Sequence, residues 1–193
     1  MAQLELKCKC GQVRGLVQQL KPNQGTHLCC YCKDCQAFAA QLQAETATLN
    51  EFGGTALFQI YPAAVQIIQG QEHLACLRLH KKGLYRWYTS CCDTPVANTV
   101  GLNVPFVGLI HSFIAPDQDI QEIIGPLYGS AYQQQATSHL PESLWGNKSR
   151  ARIIFRIISK MLLWKLMRRG KPNPFFNANG QARVKPKIIS DGH

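Results

Sequence analysis

Cys30-Tyr31-Cys32-Lys33-Asp34-Cys35 is the stretch on which the reading of the fold turns. Three thiols, spaced by one residue and then by two, can converge on one point from a tight turn. Zinc suits that arrangement, because it takes thiolate ligands in a tetrahedron with bonds of about 2.3 Å. Three protein ligands leave one corner open, and an open corner separates a catalytic zinc from a structural one. Working outward, Cys8-Lys9-Cys10-Gly11 precedes the trio and Cys91-Cys92 follows it, and these two pairs can close a separate site. Buried core thiols are the competing reading, since free cysteine is common in protein interiors. The charged Lys33 and Asp34 between the central thiols, and Lys7 and Lys9 around Cys8 and Cys10, argue against it. Neighbours in a strand point to opposite faces, so a regular strand would offer a site Cys92 alone. A turn into Asp93-Thr94-Pro95 would bring Cys91 round as well. Cys29 and Cys76 read as core thiols.

The segments around these clusters are short and punctuated. Residues 3–8 and 12–18 alternate polar and apolar side chains and read as two strands joined at the Cys8–Gly11 turn, where the glycine supplies backbone freedom. A loop at 21–25 leads to a strand over Thr26–Cys30. A short helix over Cys35–Gln43 would set Cys32 and Cys35 at its N-terminus, where the dipole favours thiolates. Further strands are expected at Ala56–Ile60, Val65–Ile68, His73–Leu79, Leu84–Tyr88, Val96–Val100 and Phe106–Phe113, separated by Gly and Pro turns. The fold expected is mainly β, of short antiparallel strands. His27, His73, His80 and His111 read as structural histidines. Arg78, Arg86 and Lys33 read as solvated cations.

The chain has 193 residues, 46% of them hydrophobic, which is enough for a core. Met1-Ala2-Gln3-Leu4-Glu5 has neither a basic start nor a long apolar run, so a cytoplasmic location is expected. Nine cysteines cannot all pair internally, and in a reducing compartment clustered thiols read as metal or redox groups.

Charge divides the chain. Residues 1–147 hold 9 Lys+Arg and 10 Asp+Glu, a net of −1; residues 148–193 hold 12 Lys+Arg and one acid, a net of +11. Three regions follow: a cysteine-bearing β domain over 1–115, a mixed extension with turns and short helical pieces over 116–147, and a basic helix with an extended tail over 148–193. In the helix, Ile153, Ile154, Ile157, Ile158, Met161, Leu162 and Trp164 keep helical spacing among Arg152, Arg156, Lys160, Lys165, Arg168 and Arg169. This is a basic amphipathic helix, too broken by charge to span a bilayer. Peripheral contact with anionic membrane through residues 149–169, or with an acidic partner, is one expectation; packing of its apolar face on the β domain is the other. Nucleic acid is disfavoured, because aromatics are not interleaved with the cations.

Taken together, Cys8-x-Cys10-Gly11, Cys30-x-Cys32-x-x-Cys35 and a later cysteine element before Thr94-Pro95 resemble the glutathione-dependent formaldehyde-activating enzyme family, which also includes the domain of centromere protein V. The resemblance spans about residues 3–113 and implies an Mss4-like β-tent with one or two zinc ions. It implies that Cys8 and Cys10, with the late element, hold a structural zinc, and that Cys30, Cys32 and Cys35 hold the catalytic one. The late element departs from the family pattern. Thr89 stands where its first cysteine belongs, and Asp93 where a glycine is usual. Either Cys91 supplies the missing ligand from a shifted position, or that zinc has three protein ligands or is absent. The activity implied is a carbon–sulfur lyase resembling S-(hydroxymethyl)glutathione synthase, acting on small thiol and aldehyde substrates with glutathione as co-substrate. The rival expectation is a non-catalytic zinc scaffold that works through its basic helix.

Overall fold

The computed structural model describes residues 2–21, 23–144 and 149–189. Pro22 of the expected loop, the boundary read at 147/148 and the last residues of the tail lie outside them. The chain is mainly β. In order it forms β1 (Ala2–Lys7), β2 (Arg14–Leu20), β3 (Thr26–Cys30), α1 (Lys33–Gln41), α2 (Glu45–Thr48), β4 (Thr55–Ile60), β5 (Val65–Gln69), β6 (Leu74–Arg78), β7 (Tyr85–Thr89), β8 (Pro95–Thr99), β9 (Val107–Ile110), α3 (Ile120–Ile124), β10 (Gly129–Ala131), α4 (Arg150–Leu166) and β11 (Lys187–Ile188).

Two sheets result. One has three strands in the order β1-β2-β5; the other has eight, β10-β3-β4-β9-β8-β7-β6-β11. Neighbours are antiparallel except at the two outer edges, where β10 joins β3 and β11 joins β6 in parallel. β1 alternates, burying Leu4 and Leu6 and exposing the residues between, as a strand with one wet face should. β3, β8 and β9 are buried along their whole length, because both their faces are covered. A core cluster draws Leu4, Leu6 and Val17 from the small sheet and Phe58, Ile60, Trp87 and Leu109 from the large one.

Two expected boundaries shift, and the tail gains a role. The helix expected from Cys35 begins at Lys33, so the turn of cysteines is itself the helix start. The strand expected to reach Phe113 ends at Ile110; a 3-10 turn over His111–Phe113 follows, and Phe113 is fully buried. The last stretch does more than trail. Phe175 and Phe176 pack on Trp87 with ring centroids 5.0 and 5.8 Å away, and Asn173 Oδ1 accepts from both of their backbone N–H groups. Helix α4 rests on the domain through Ile153 and Trp164, the latter edge-on to Tyr61 at 5.7 Å.

Candidate metal centres

Two groups of sulfur atoms form where strands end. The first is built by the β1–β2 turn and the β7–β8 turn. In the first turn Gly11 N donates to Cys8 O at 2.9 Å, and Gly11 has φ +78°, a conformation that favours glycine. Val13 N donates to Cys8 Sγ at 3.2 Å. In the second turn Asp93 N donates to Thr89 O at 2.8 Å, and Asp93 has φ +52°. Aspartate tolerates the left-handed region better than most residues, so the turn forms without a glycine at this position. That turn presents both Cys91 and Cys92, and Lys9 N donating to Thr94 Oγ1 at 3.0 Å ties the two turns together.

The sulfur of Cys8 lies 3.6 Å from that of Cys10 and 4.0 Å from that of Cys91; Cys10 to Cys91 is 3.4 Å and Cys91 to Cys92 is 3.8 Å. A tetrahedral ion with thiolate bonds of about 2.3 Å needs sulfur–sulfur edges of about 3.8 Å. A disulfide needs about 2.05 Å. The donor set therefore fits a metal and not a cystine, and all nine cysteines are free. Burial raises the Cys92 thiol, but hydrogen bonds from Thr89 and Thr94 and from the Cys10 backbone outweigh it and hold it down to about 6. Burial pushes Cys91 up to about 12 and raises Cys8. Thr89 sits with its Oγ1 3.4 Å from Cys92 Sγ, supporting the group from outside it.

The second group is local. β3 delivers Cys30 as its last residue, Cys32 is the N-cap of α1, and Cys35 lies in the first turn, with its N–H donating to Cys32 O at 3.0 Å. The three sulfur atoms lie within 4.8 Å of one another. Among the described residues no His, Asp, Glu or fourth Cys joins them. Strand alternation turns Cys29 the other way, where Asn50 Nδ2 donates to its sulfur at 3.8 Å. Crowded thiols make one proton easy to lose and the next hard. Hydrogen bonds from Cys30 and Cys35 hold Cys32 far below the usual thiol range, and the same contacts with burial push Cys30 up.

The cation that answers these thiols is Arg86, not Lys33. Lys33 is exposed, whereas Arg86 is 1% exposed. Its Nη1 donates to Asn98 Oδ1 at 3.2 Å and reaches Cys35 Sγ at 3.9 Å, and its Nη2 pairs with Asp34 at 3.3 Å. The solvated role expected for Arg86 is thus corrected: its side chain is 1% exposed, packed between α1 and β8 at the wall of a cleft. Arg78 donates to the Gly83 carbonyl at 2.8 and 3.1 Å and lies over the Tyr85 ring.

A cleft of about 540 Å³ opens on the trio. Leu28, Leu57, Leu84 and Phe106 give it apolar walls; its polar lining includes Arg86, Asn98 and Lys33 together with Asp34, Gln59 and Gln135. Residues 129–135, in which no site was expected, form one side. β10 pairs Ala131 with Cys30, Tyr31 N donates to Ala131 O at 2.9 Å, and Lys33 N donates to Gln135 Oε1 at 2.8 Å. Tyr132 and Gln135 therefore stand over the cleft. Of the histidines, His27 and His111 stack at 4.8 Å, and burial pushes His111 down to about 4. His73 lies 3.7 Å from Glu72 on the surface.

Among curated proteins none matches the sequence. A crystal structure of a Rhodobacter sphaeroides protein is similar with a TM-score of 0.44 and 13% identity, over 64% of this chain and 97% of that one. The model of a family of unknown function, DUF6151, matches residues 1–185, and the chain with its two cysteine groups belongs to that family.

Proposed function

We propose that this protein is a zinc-dependent enzyme of the carbon–sulfur lyase type, acting on the adducts that glutathione-type thiols form with aldehydes. One observation carries the reading: three thiols gathered at the floor of a cleft with no fourth ligand among the described residues. A zinc ion held by Cys30, Cys32 and Cys35 would supply a Lewis-acidic corner at which a substrate thiol loses its proton. Arg86 offsets the negative charge of the cysteine thiolates and, through Asn98 and Asp34, is fixed in place. The apolar walls exclude water from the reacting atoms. Lys33, exposed at the rim, offers a cation to a substrate carboxylate. The reaction joins the thiol sulfur to the aldehyde carbon and moves the thiol proton to the aldehyde oxygen; the reverse splits the adduct, and nothing is oxidised.

The second group, with four thiols, leaves no corner open and suits a structural zinc. The order of the cysteine elements and the mainly β fold support kinship with the formaldehyde-activating enzymes and their Mss4-like β-tent. A reducing cytoplasm suits an enzyme with nine free thiols. The test is exchange NMR on glutathione and ¹³C-formaldehyde with purified protein. Adduct formation should outpace the spontaneous reaction, and Cys32→Ser should abolish the excess. Equal rates with and without protein would end the proposal.

A further inference from the structure

Helix α4 divides its apolar side chains between two arcs: Ile153, Ile157, Met161 and Trp164 pack inward, and a second set is left in solvent. Two cations also anchor the inward arc. Arg156 donates from Nε to Thr26 Oγ1 at 3.3 Å and from Nη2 to the Gly25 carbonyl at 3.1 Å, and it lies over the Tyr128 ring at 4.4 Å. Lys160 donates to the carbonyls of Asn23 and Gln24. Only Ile153 and Trp164 are buried. The remaining apolar side chains are left on the other arc. Ile154, Ile158, Leu162 and Leu166 follow one another at a spacing of four along one ridge, with Phe155 beside them. Phe155 is 74% exposed and Leu166 82%. Seven of the twelve exposed large hydrophobic side chains among the described residues lie between 154 and 167, so this is a patch and not scatter. Exposed Arg150, Arg152, Lys165 and Arg168 frame it.

We propose that this ridge lies in the interfacial layer of an anionic phospholipid bilayer, with the apolar side chains at the headgroup–acyl boundary and the framing cations on acidic headgroups. Charge selects the occupant. Residues 148–193 carry 12 Lys+Arg and one acid. A second copy would bring two such segments together with almost no acid to pair them, whereas an anionic surface answers all of them at once. The geometry also fits: α4 is about 25 Å long at 1.5 Å per residue, and no helix among the described residues is long and apolar enough to cross a membrane. A basic helix with an apolar stripe lies flat in the interface. Ile157, on the docked arc of α4, lines the cleft over the sulfur trio, but no residue of the ridge does, so the proposal stands or falls independently of the enzymatic reading.

The test is flotation of the full chain with vesicles of phosphatidylcholine, alone or with phosphatidylserine. Binding should require phosphatidylserine and weaken as salt rises. Phe155→Ser with Leu166→Ser, both on exposed positions, should cut partitioning about tenfold or more while leaving the circular dichroism unchanged. Arg152→Gln with Lys165→Gln should cost about fivefold per cation. Three results would overturn the proposal: no binding to either vesicle, equal binding to both, or a dimer in sedimentation that the apolar variants abolish while vesicles stay bare. Equal affinity for soluble polyglutamate would assign the ridge to an acidic protein instead.

Discussion

Arg86 ties the sulfur trio to the rest of the protein. A guanidinium that is 1% exposed needs counter-charge, because an uncompensated buried ion is costly. Asp34 supplies part of it, but its side chain is 46% exposed and solvent screens the pair. The remainder comes from the thiolate group beside it, so cation and thiolates stabilise one another. Replacing Arg86 with methionine keeps most of the volume and removes the charge. The expected result is metal binding at the trio weakened by about 10- to 100-fold, the usual cost of losing an outer-shell partner. Binding at the four-cysteine group should be unchanged. Competition with a chromophoric chelator would read both, and unchanged affinity at the trio would show that its thiolates need no cation. Arg86→Lys should restore only part of the loss, since one ammonium cannot span Asn98 and Asp34 together. The seven cysteines of the two pairs and the trio are legible as ligand candidates from spacing alone. Arg86 is not, because alternation along Tyr85-Arg86-Trp87 implies one wet face. That face is closed by chain far away in sequence.

Among the elements, those with a clear period are legible and those without are not. The strands from β1 to β9 announce themselves by alternation or by β-rich runs between glycine and proline, to within a few residues. β10 is three small residues, Gly129-Ser130-Ala131, too short to show a period. Its parallel pairing with β3 depends on a long crossover that no local signal describes. The Phe175-Phe176 pair has the same difficulty: two aromatics near Pro172 and Pro174 do not say which surface they meet. They meet Trp87, and Phe175 is fully buried. Phe175→Ala should therefore cost about 3–5 kcal/mol in urea unfolding, as cavity formation in a core does. Phe155→Ala, the same change on the exposed ridge of α4, should cost a small fraction of that. If the two variants unfold alike, the tail is not part of the core.

At the scale of the molecule, the two sulfur groups join parts of very different separation. Cys8 and Cys10 come from a turn of the small sheet, and Cys91 and Cys92 from a turn of the large one. Cys10 and Cys91 are 81 residues apart, so an ion between them closes a long loop and links the two sheets. A cross-link over such a loop lowers the entropy of the unfolded chain by the equivalent of about 4–5 kcal/mol. Cys30, Cys32 and Cys35 lie in one short turn, where the same argument yields much less. Metal analysis of the intact protein should find two zinc ions per chain. Cys91→Ser and Cys32→Ser should each remove one, yet their stabilities should diverge. Cys91→Ser should lose several kcal/mol in urea unfolding, because the sheets are no longer cross-linked. Cys32→Ser should stay close to the parent, because its ion orders a turn that β3 and α1 already hold. The opposite ranking would exchange the structural and chemical roles of the two groups, and with them the place to look for substrate.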